Sequence, residues 1–270
     1  MRPVPSALVF TDLDGTLLDH GTYDPGPARP VLVRLRASGV PVIPVTSKTR
    51  AEMGPLGAAL GLDGPFIVEN GAAVLFPEGM DGGVEPLEPL GRFTAFRFGR
   101  PYSEARAFLA SLPAGAVRGF GDMDAAEAAR RTGLTAGEAA LAIQRDFTEP
   151  FLLEGGGIER VRAAAAEAGF KVLEGGRFFH LVGEGQDKGR AVAWLMQRWG
   201  GGAPTLGLGD SPNDFDFLRV VDRPVLVRRP DGRHAAGFDH PRLMRAEGVG
   251  PAGWAEAVLQ LLPGWSGIEA

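Results

Sequence analysis

The chain has no cysteine, which excludes disulfide scaffolding, thiolate catalysis and sulfur-ligated zinc or iron. That absence fits a cytosolic protein. Lysine is nearly as scarce, since Lys48, Lys171 and Lys188 are the only three in 270 residues. Nor is there an excess of positive charge: 28 Lys and Arg stand against 33 Asp and Glu, for a formal net charge of −5. The sequence therefore offers no basic footprint for nucleic acid or an anionic membrane, and an anionic substrate has to be captured locally. Long apolar runs are missing as well. The opening Met1-Arg2-Pro3-Val4-Pro5-Ser6 passes through one short apolar stretch into acidic residues, too short for a signal peptide or membrane helix. The expectation is a soluble, unprocessed, cytoplasmic chain.

What is present is globular. Hydrophobic residues make up 44% and charged residues 23%, enough to build and solvate a core. The length suits either one large domain or a core with a smaller companion. Glycine (40) and proline (22) are abundant; with arginine in place of lysine they suit a heat-stable protein, and a biased genomic base composition would give the same pattern.

Along the chain, Ala7–Phe10 reads as a buried strand that feeds a polar loop. A helix over Pro30–Ser38 closed by Gly39, a strand over Val40–Val45, a helix from Arg50 to about Leu60 and a third strand over Pro65–Val68 follow. Such alternation predicts a parallel sheet with right-handed crossovers. Residues 77–91, rich in Gly, Pro and Glu, read as a hinge. Beyond it, helices over Ser103–Ser111, Ala125–Arg131, Ala136–Arg145 and Ile158–Ala168 mix with short strands over Phe151–Leu153, Lys171–Leu173 and Phe178–Val182. The first pattern returns with a helix over Lys188–Trp199, a strand over Thr205–Leu208, a short helix over Asp214–Val220 and a strand over Val225–Val227. The expected fold is α/β, a doubly wound, mostly parallel Rossmann-like core (1–85 and 186–270) interrupted by an inserted α+β unit (86–185).

In a doubly wound sheet, ligands sit outside the carboxyl ends of the strands. The residues there form a set: Asp12 and Asp14 after the first strand, Thr46 and Ser47 after the second, Lys188 opening the helix after the insertion, and Asp210, Asn213 and Asp214 after the strand at 205–208. Carboxylates, hydroxyls and one ammonium are what phosphoryl transfer on magnesium requires. Asp12 and Asp14 are two apart, so on extended chain they point the same way; one can attack while the other handles protons. Gly15 permits a tight turn that brings backbone N–H groups to phosphate oxygens. Thr46 or Ser47 would donate to those oxygens and Lys188 would neutralise them. Asp210 is placed to complete a magnesium shell, with Asn213 and Asp214 bracing it. Read singly, each has a plainer role: an acidic turn, a helix cap, a surface lysine.

Together, Asp12-Leu13-Asp14-Gly15-Thr16, Val45-Thr46-Ser47, Lys188 and Gly209-Asp210-Ser211-Pro212-Asn213-Asp214 resemble, in order, the four motifs of the haloacid-dehalogenase superfamily of phosphatases. The resemblance implies that Asp12 forms an aspartyl-phosphate, and that Asp14 protonates the leaving oxygen and then activates water. It also implies that Asp12, the Asp14 backbone carbonyl and Asp210 hold Mg2+, and that the insertion is the superfamily's larger, C2-type cap, which closes over small substrates. Thr46-Ser47-Lys48-Thr49-Arg50, Val68-Glu69-Asn70-Gly71-Ala72, Arg145-Asp146-Phe147-Thr148-Glu149-Pro150-Phe151 and Gly250-Pro251-Ala252-Gly253-Trp254 are similar to stretches of the mannosyl-3-phosphoglycerate phosphatases. That likeness implies hydrolysis of a small phosphorylated sugar acid to mannosylglycerate, a compatible solute; sucrose phosphate, glucosyl-3-phosphoglycerate and a sugar phosphomutase remain alternatives.

Such a substrate carries a phosphate, a carboxylate and several hydroxyls. Arg145 and Arg177 are candidate carboxylate clamps. Ser47, Lys48, Glu69, Asn70, Gln144, Glu149, His180 and Asn213 are further candidate contacts, with Asp214 counted beside Asp12, Asp14 and Asp210 for the metal. Arg145 and Glu149, four apart, also read as a surface pair, and His180 amid Phe178, Phe179 and Leu181 as a core histidine. His20, His234 and His240 show no metal-site spacing.

Overall fold

The computed structural model describes residues 5–80, 87–175 and 177–262. The first part of the chain gives β1 (Leu8–Thr11), α1 (Ala28–Ala37), β2 (Val42–Pro44), α2 (Arg50–Leu60), β3 (Phe66–Val68), β4 (Ala73–Pro77), β5 (Glu88–Leu90) and β6 (Phe93–Arg97). Next come α3 (Tyr102–Ser111), β7 (Val117–Gly119), α4 (Ala125–Thr132), α5 (Ala136–Ala142), β8 (Glu149–Leu153), α6 (Ile158–Glu167), β9 (Phe170–Glu174) and β10 (Phe179–Gly183). The last part holds α7 (Lys188–Trp199), β11 (Thr205–Gly209), α8 (Phe215–Leu218), β12 (Arg223–Arg228), β13 (Met244–Val249) and α9 (Pro251–Leu261).

Five strands in the order β13-β12-β11-β1-β2, all parallel, form the central sheet. Side chains alternate across it, so Val9 packs into one apolar cluster with α1 and α9 while Leu8 and Phe10 pack into another with α7 and α8. Both faces are covered, which is why β1 reads as an unbroken apolar run. Two helix starts bear on function. Thr49 and Glu52 form a reciprocal capping box that begins α2 right after β2. Asp187 accepts from the Arg190 N–H and so makes Lys188 the first residue of α7.

The third strand departs from expectation. Among the described residues β3 is laddered to the parallel sheet through a single bridge, Val45 to Ile67, and instead opens a four-stranded antiparallel sheet in the order β3-β4-β6-β5. The cause is local: Glu69 (φ 47°), Asn70 (φ 59°) and Gly71 (φ 83°) are successive left-handed residues that turn the chain straight back into β4. β6 then pairs with β4, so 88–97 stays with the first part of the chain, although texture alone assigns it to the insertion. The expected boundary at 85/86 itself lies outside the described residues.

The insertion builds its own antiparallel sheet, β7-β8-β10-β9. One face packs on α3 and α6 through Leu109, Phe151, Val161 and Leu181; the other carries Phe120, Met123, Ala142 and Phe178. Helix α5 stops at Ala142, short of the expected Arg145. Past a last tight turn over 143–145, the N–H groups of Asp146, Phe147 and Thr148 donate to the Glu69 carboxylate instead of continuing the helix.

Candidate active site

The carboxyl ends of β1, β2 and β11 converge. The Asp12 N–H donates to the Leu208 carbonyl at 2.9 Å, which locks the residue after β1 to β11. Lys188 Nζ, buried, donates to Asp12 Oδ1 at 2.8 Å and to Asp214 Oδ1 at 2.7 Å. Asp214 has no free oxygen, because its Oδ2 accepts from the N–H groups of Asp210 and Ser211 and from Ser211 Oγ. Asp210 Oδ1 accepts from Thr16 Oγ1 at 3.2 Å. A Cβ at Gly15, whose φ is +85°, would stand 2.9 Å from Asp210 Oδ2, so that turn admits no side chain.

Asp12, Asp210 and Asp214 offer carboxylate oxygens within 4.8 Å of one another. Burial, then the charges of Asp214 and Asp210, hold the Asp12 carboxyl well above its ordinary range, with Lys188 pulling the other way. Burial and then Asp214 push Asp210 up to about 7. Burial opposes the charge of Lys188, yet Asp12 and Asp214 outweigh it and leave its ammonium more basic than usual. Three carboxylates around one ammonium leave an excess of negative charge and an all-oxygen donor set. Both fit a hard divalent cation.

Asp14 faces a cleft of about 490 Å³ between the core and the inserted sheet. Its Oδ2 pairs with Lys48 Nζ at 2.9 Å, while its Oδ1 is buried with no partner among the described residues. Burial opposes the Lys48 charge, but Asp14 and then Glu52 hold its ammonium above the usual range. Ser47, Lys48, Arg145, Arg177 and His180 line the same cleft. His180 arrives there by alternation on β10, opposite Pro150 of β8, while its neighbours Phe179 and Leu181 face α3 and α6. Burial, then the charges of Arg145 and Lys188, push His180 down to about 3, so its ring is neutral, and Nδ1 has no partner among the described residues.

Thr46 is buried behind Ser47, its Oγ1 accepting from the Lys48 N–H at 3.1 Å. Asn213 Nδ2 donates to Asn70 Oδ1 at 2.9 Å, joining the turn after β3 to the Asp210 loop. Three other expected contacts lie elsewhere. The Glu69 carboxylate accepts from three backbone N–H groups and from Thr148 Oγ1. Gln144 is exposed and donates to the Ala140 carbonyl. Glu149 is buried on Arg106 and the Gly121 N–H, behind the cleft-lining Phe120. In the other direction, the cleft wall includes Tyr23, Glu52, Phe120, Leu134 and Phe178, which motif spacing does not single out. The positive φ of Tyr23 (56°) belongs to a loop with no sequence pattern of its own. Among the described residues no helix is long and apolar enough to cross a membrane.

Three kinds of comparison agree with this geometry. A family model described as haloacid dehalogenase-like hydrolase matches residues 9–81, which carry Asp12, Asp14 and Thr46. A glucosyl-3-phosphoglycerate/mannosyl-3-phosphoglycerate phosphatase of Persephonella marina is 42% identical over 261 residues, 94% of this chain and 97% of that one. A protein of the same name from Methanococcoides burtonii is 37% identical, again over 94% and 97% of the two chains. Among solved structures, the sucrose-phosphatase of Synechocystis sp. PCC6803, in complex with sucrose and phosphate, superposes with a TM-score of 0.62 at 17% identity, covering 95% of this chain and 98% of that one. That last likeness shows the fold alone.

Proposed function

The chain belongs to the haloacid dehalogenase-like hydrolases as one of their phosphoric monoester hydrolases, and from that premise we propose that it cleaves the phosphate ester of hexosyl-3-phosphoglycerates. Mannosyl-3-phosphoglycerate is the substrate we name first and glucosyl-3-phosphoglycerate the second, each giving the hexosylglycerate and phosphate. The observation that carries the proposal is the likeness to two phosphatases of that name through the insertion as well as the core. It is supported by a cleft that sets the cations Lys48, Arg145 and Arg177 beside Asp14. We read about 99–184 as a cap over that cleft and the cytoplasm as the site of action.

Asp12 is the nucleophile. Lys188 holds its Oδ1 and leaves Oδ2 to attack phosphorus. As the new oxygen–phosphorus bond forms, the ester oxygen–phosphorus bond breaks and Asp14 gives its proton to the departing oxygen. Asp14 then accepts a proton from water as that water attacks the aspartyl-phosphate, which returns Asp12 as carboxylate and releases phosphate. Asp12, the Asp14 backbone carbonyl and Asp210 would hold Mg2+, which when bound offsets the repulsion between substrate phosphate and nucleophile. Asp214, with both oxygens engaged, holds Lys188 and the Asp210 loop in place.

The test is phosphate release from a panel of phosphorylated sugars and sugar acids, with Mg2+ and with chelator. The expected result is Mg2+-dependent release, fastest from the two hexosyl-3-phosphoglycerates. Preference for sucrose phosphate, or isomerised sugar phosphate without free phosphate, would replace the substrate or the reaction class. Retained phosphate release in Asp12→Asn would overturn the mechanism.

A further inference from the structure

The cleft holds three cations, and they are not equally available. Arg145 is almost fully committed: Nε donates to the Thr148 carbonyl, Nη2 to Thr148 Oγ1 and the Ser47 carbonyl, and Nη1 to the Ala142 carbonyl. Arg177 is exposed and rests on the Thr132 carbonyl through Nη1. Lys48 differs. Its ammonium has three N–H donors; one meets Asp14 Oδ2 at 2.9 Å, and Tyr23 presents its ring face at 5.0 Å. Its side chain is only 11% exposed, so the charge is screened little by solvent.

We propose that Lys48 reads the carboxylate beside the phosphate ester, and that Tyr23, stacked on it, holds it where that carboxylate must lie. The inference rests on the hexosyl-3-phosphoglycerate reading. Asp14 has to reach the leaving oxygen by a hydrogen bond. In a 3-phosphoglyceryl ester the carboxylate carbon is three bonds from that oxygen, about 3 to 4 Å away. A cation 2.9 Å from Asp14 is therefore within reach of the substrate carboxylate as soon as Asp14 is in reach of the leaving oxygen. The substrate carboxylate and Asp14 then share one ammonium, and an ester without a carboxylate leaves that ammonium with a single partner.

The test compares kcat/KM on mannosyl-3-phosphoglycerate with kcat/KM on the matching mannosylglycerol phosphate, in which a hydroxymethyl group replaces the carboxylate. Wild-type protein, K48M, K48R and Y23L are assayed with Mg2+. A charge-assisted hydrogen bond corresponds to a ratio change of about 10- to 100-fold. K48M is expected to lower the carboxylate-over-hydroxymethyl ratio by that much, through KM on the carboxylate substrate; K48R is expected to recover part of the ratio and Y23L to lower it less than K48M. Equal losses on both esters in K48M would overturn the proposal, leaving Lys48 as a partner of Asp14 alone. A wild-type enzyme inactive on hexosyl-3-phosphoglycerates yet active on carboxylate-free sugar phosphates would overturn the substrate reading, and the role of Lys48 with it.

Discussion

Lys188 is the residue on which the charge balance of the site turns, since among the described residues it is the one cation in contact with both Asp12 and Asp214. Replacing it with methionine keeps the apolar stem and leaves two buried carboxylates unpaired; the expected cost is about 3 to 5 kcal/mol in a denaturant melt, and an unchanged midpoint would show that the carboxylates are not charged there. Asp12 and Asp210 carry a pH signature. Both are raised in the folded state, Asp210 to about 7, so the folded protein binds their protons more tightly than the unfolded chain does. The Asp210 contribution to stability is fully present below the ordinary carboxylate range and is lost as pH rises through about 7, and that of Asp12 is lost in the same direction. Metal-free protein is expected to lose Tm between pH 5 and 8, Mg2+ to restore more of it at pH 8 than at pH 5, and D210N to flatten the slope. A metal-free slope identical in wild type and D210N would count against the shift. The residues legible in sequence were those that follow strands, because strand ends set their direction. The roles of Glu69 and Glu149 were not legible, since each is decided by backbone N–H groups that distant segments bring to a buried carboxylate, and Tyr23 matters only because Lys48 lies under it.

Among the elements, α2 and α7 were legible to the residue, each announced by a capping side chain. β4 through β7, β13 and α9 were not. β5 is exposed and three residues long, β13 (Met-Arg-Ala-Glu-Gly-Val) alternates but puts only Met244, Ala246 and Gly248 on its inner face, too little apolar surface to mark a strand, and α9 is apolar on most of its circumference because it is buried against β13 and α1. The most consequential unforeseen feature is the junction between the turn after β3 and the segment 145–148. Glu69 binds that segment from below, Arg50 grips Asp146 with two hydrogen bonds, and Arg145 on the same segment lines the cleft. Glu69→Gln keeps the shape but loses charge-assisted bonds, for an expected loss of about 1 to 3 kcal/mol. Glu69→Ala leaves three N–H groups and the Thr148 hydroxyl without their acceptor, removes the ion-pair partner of Arg145, and is expected to cost more, with KM rising because the cleft wall shifts. A denaturant midpoint and KM both equal to wild type in Glu69→Ala would remove the junction from the account.

Across the whole molecule, the parallel sheet and the inserted sheet each have apolar clusters of their own. What joins them is polar but for Phe147, which packs into the apolar cluster of the parallel sheet: the Glu69 and Arg50 contacts, the Arg145 bond to the Ser47 carbonyl, the Thr49 bond to the Leu141 carbonyl and the Gln186 bond to the Glu69 carbonyl. Apolar clusters open cooperatively as units, whereas a junction that is mostly polar, with Phe147 its one apolar anchor among these contacts, can part at lower free energy than either cluster. For the cap proposed over 99–184, this division would give a way to move over the cleft and to expel water before phosphorus is attacked. Hydrogen exchange measures it directly. In the free protein, amides of β8 and β10 are expected to exchange with one common free energy and those of β1 and β11 with another, while Asp146, Phe147 and Thr148, bonded to Glu69 across the junction, exchange faster than either. Adding Mg2+ and substrate to the Asp12→Asn protein, in which the proposed mechanism blocks turnover, is expected to slow those three amides most. Uniform slowing across both sheets, with no excess at 146–148, would mean that ligand stabilises one rigid body and that the junction does not open.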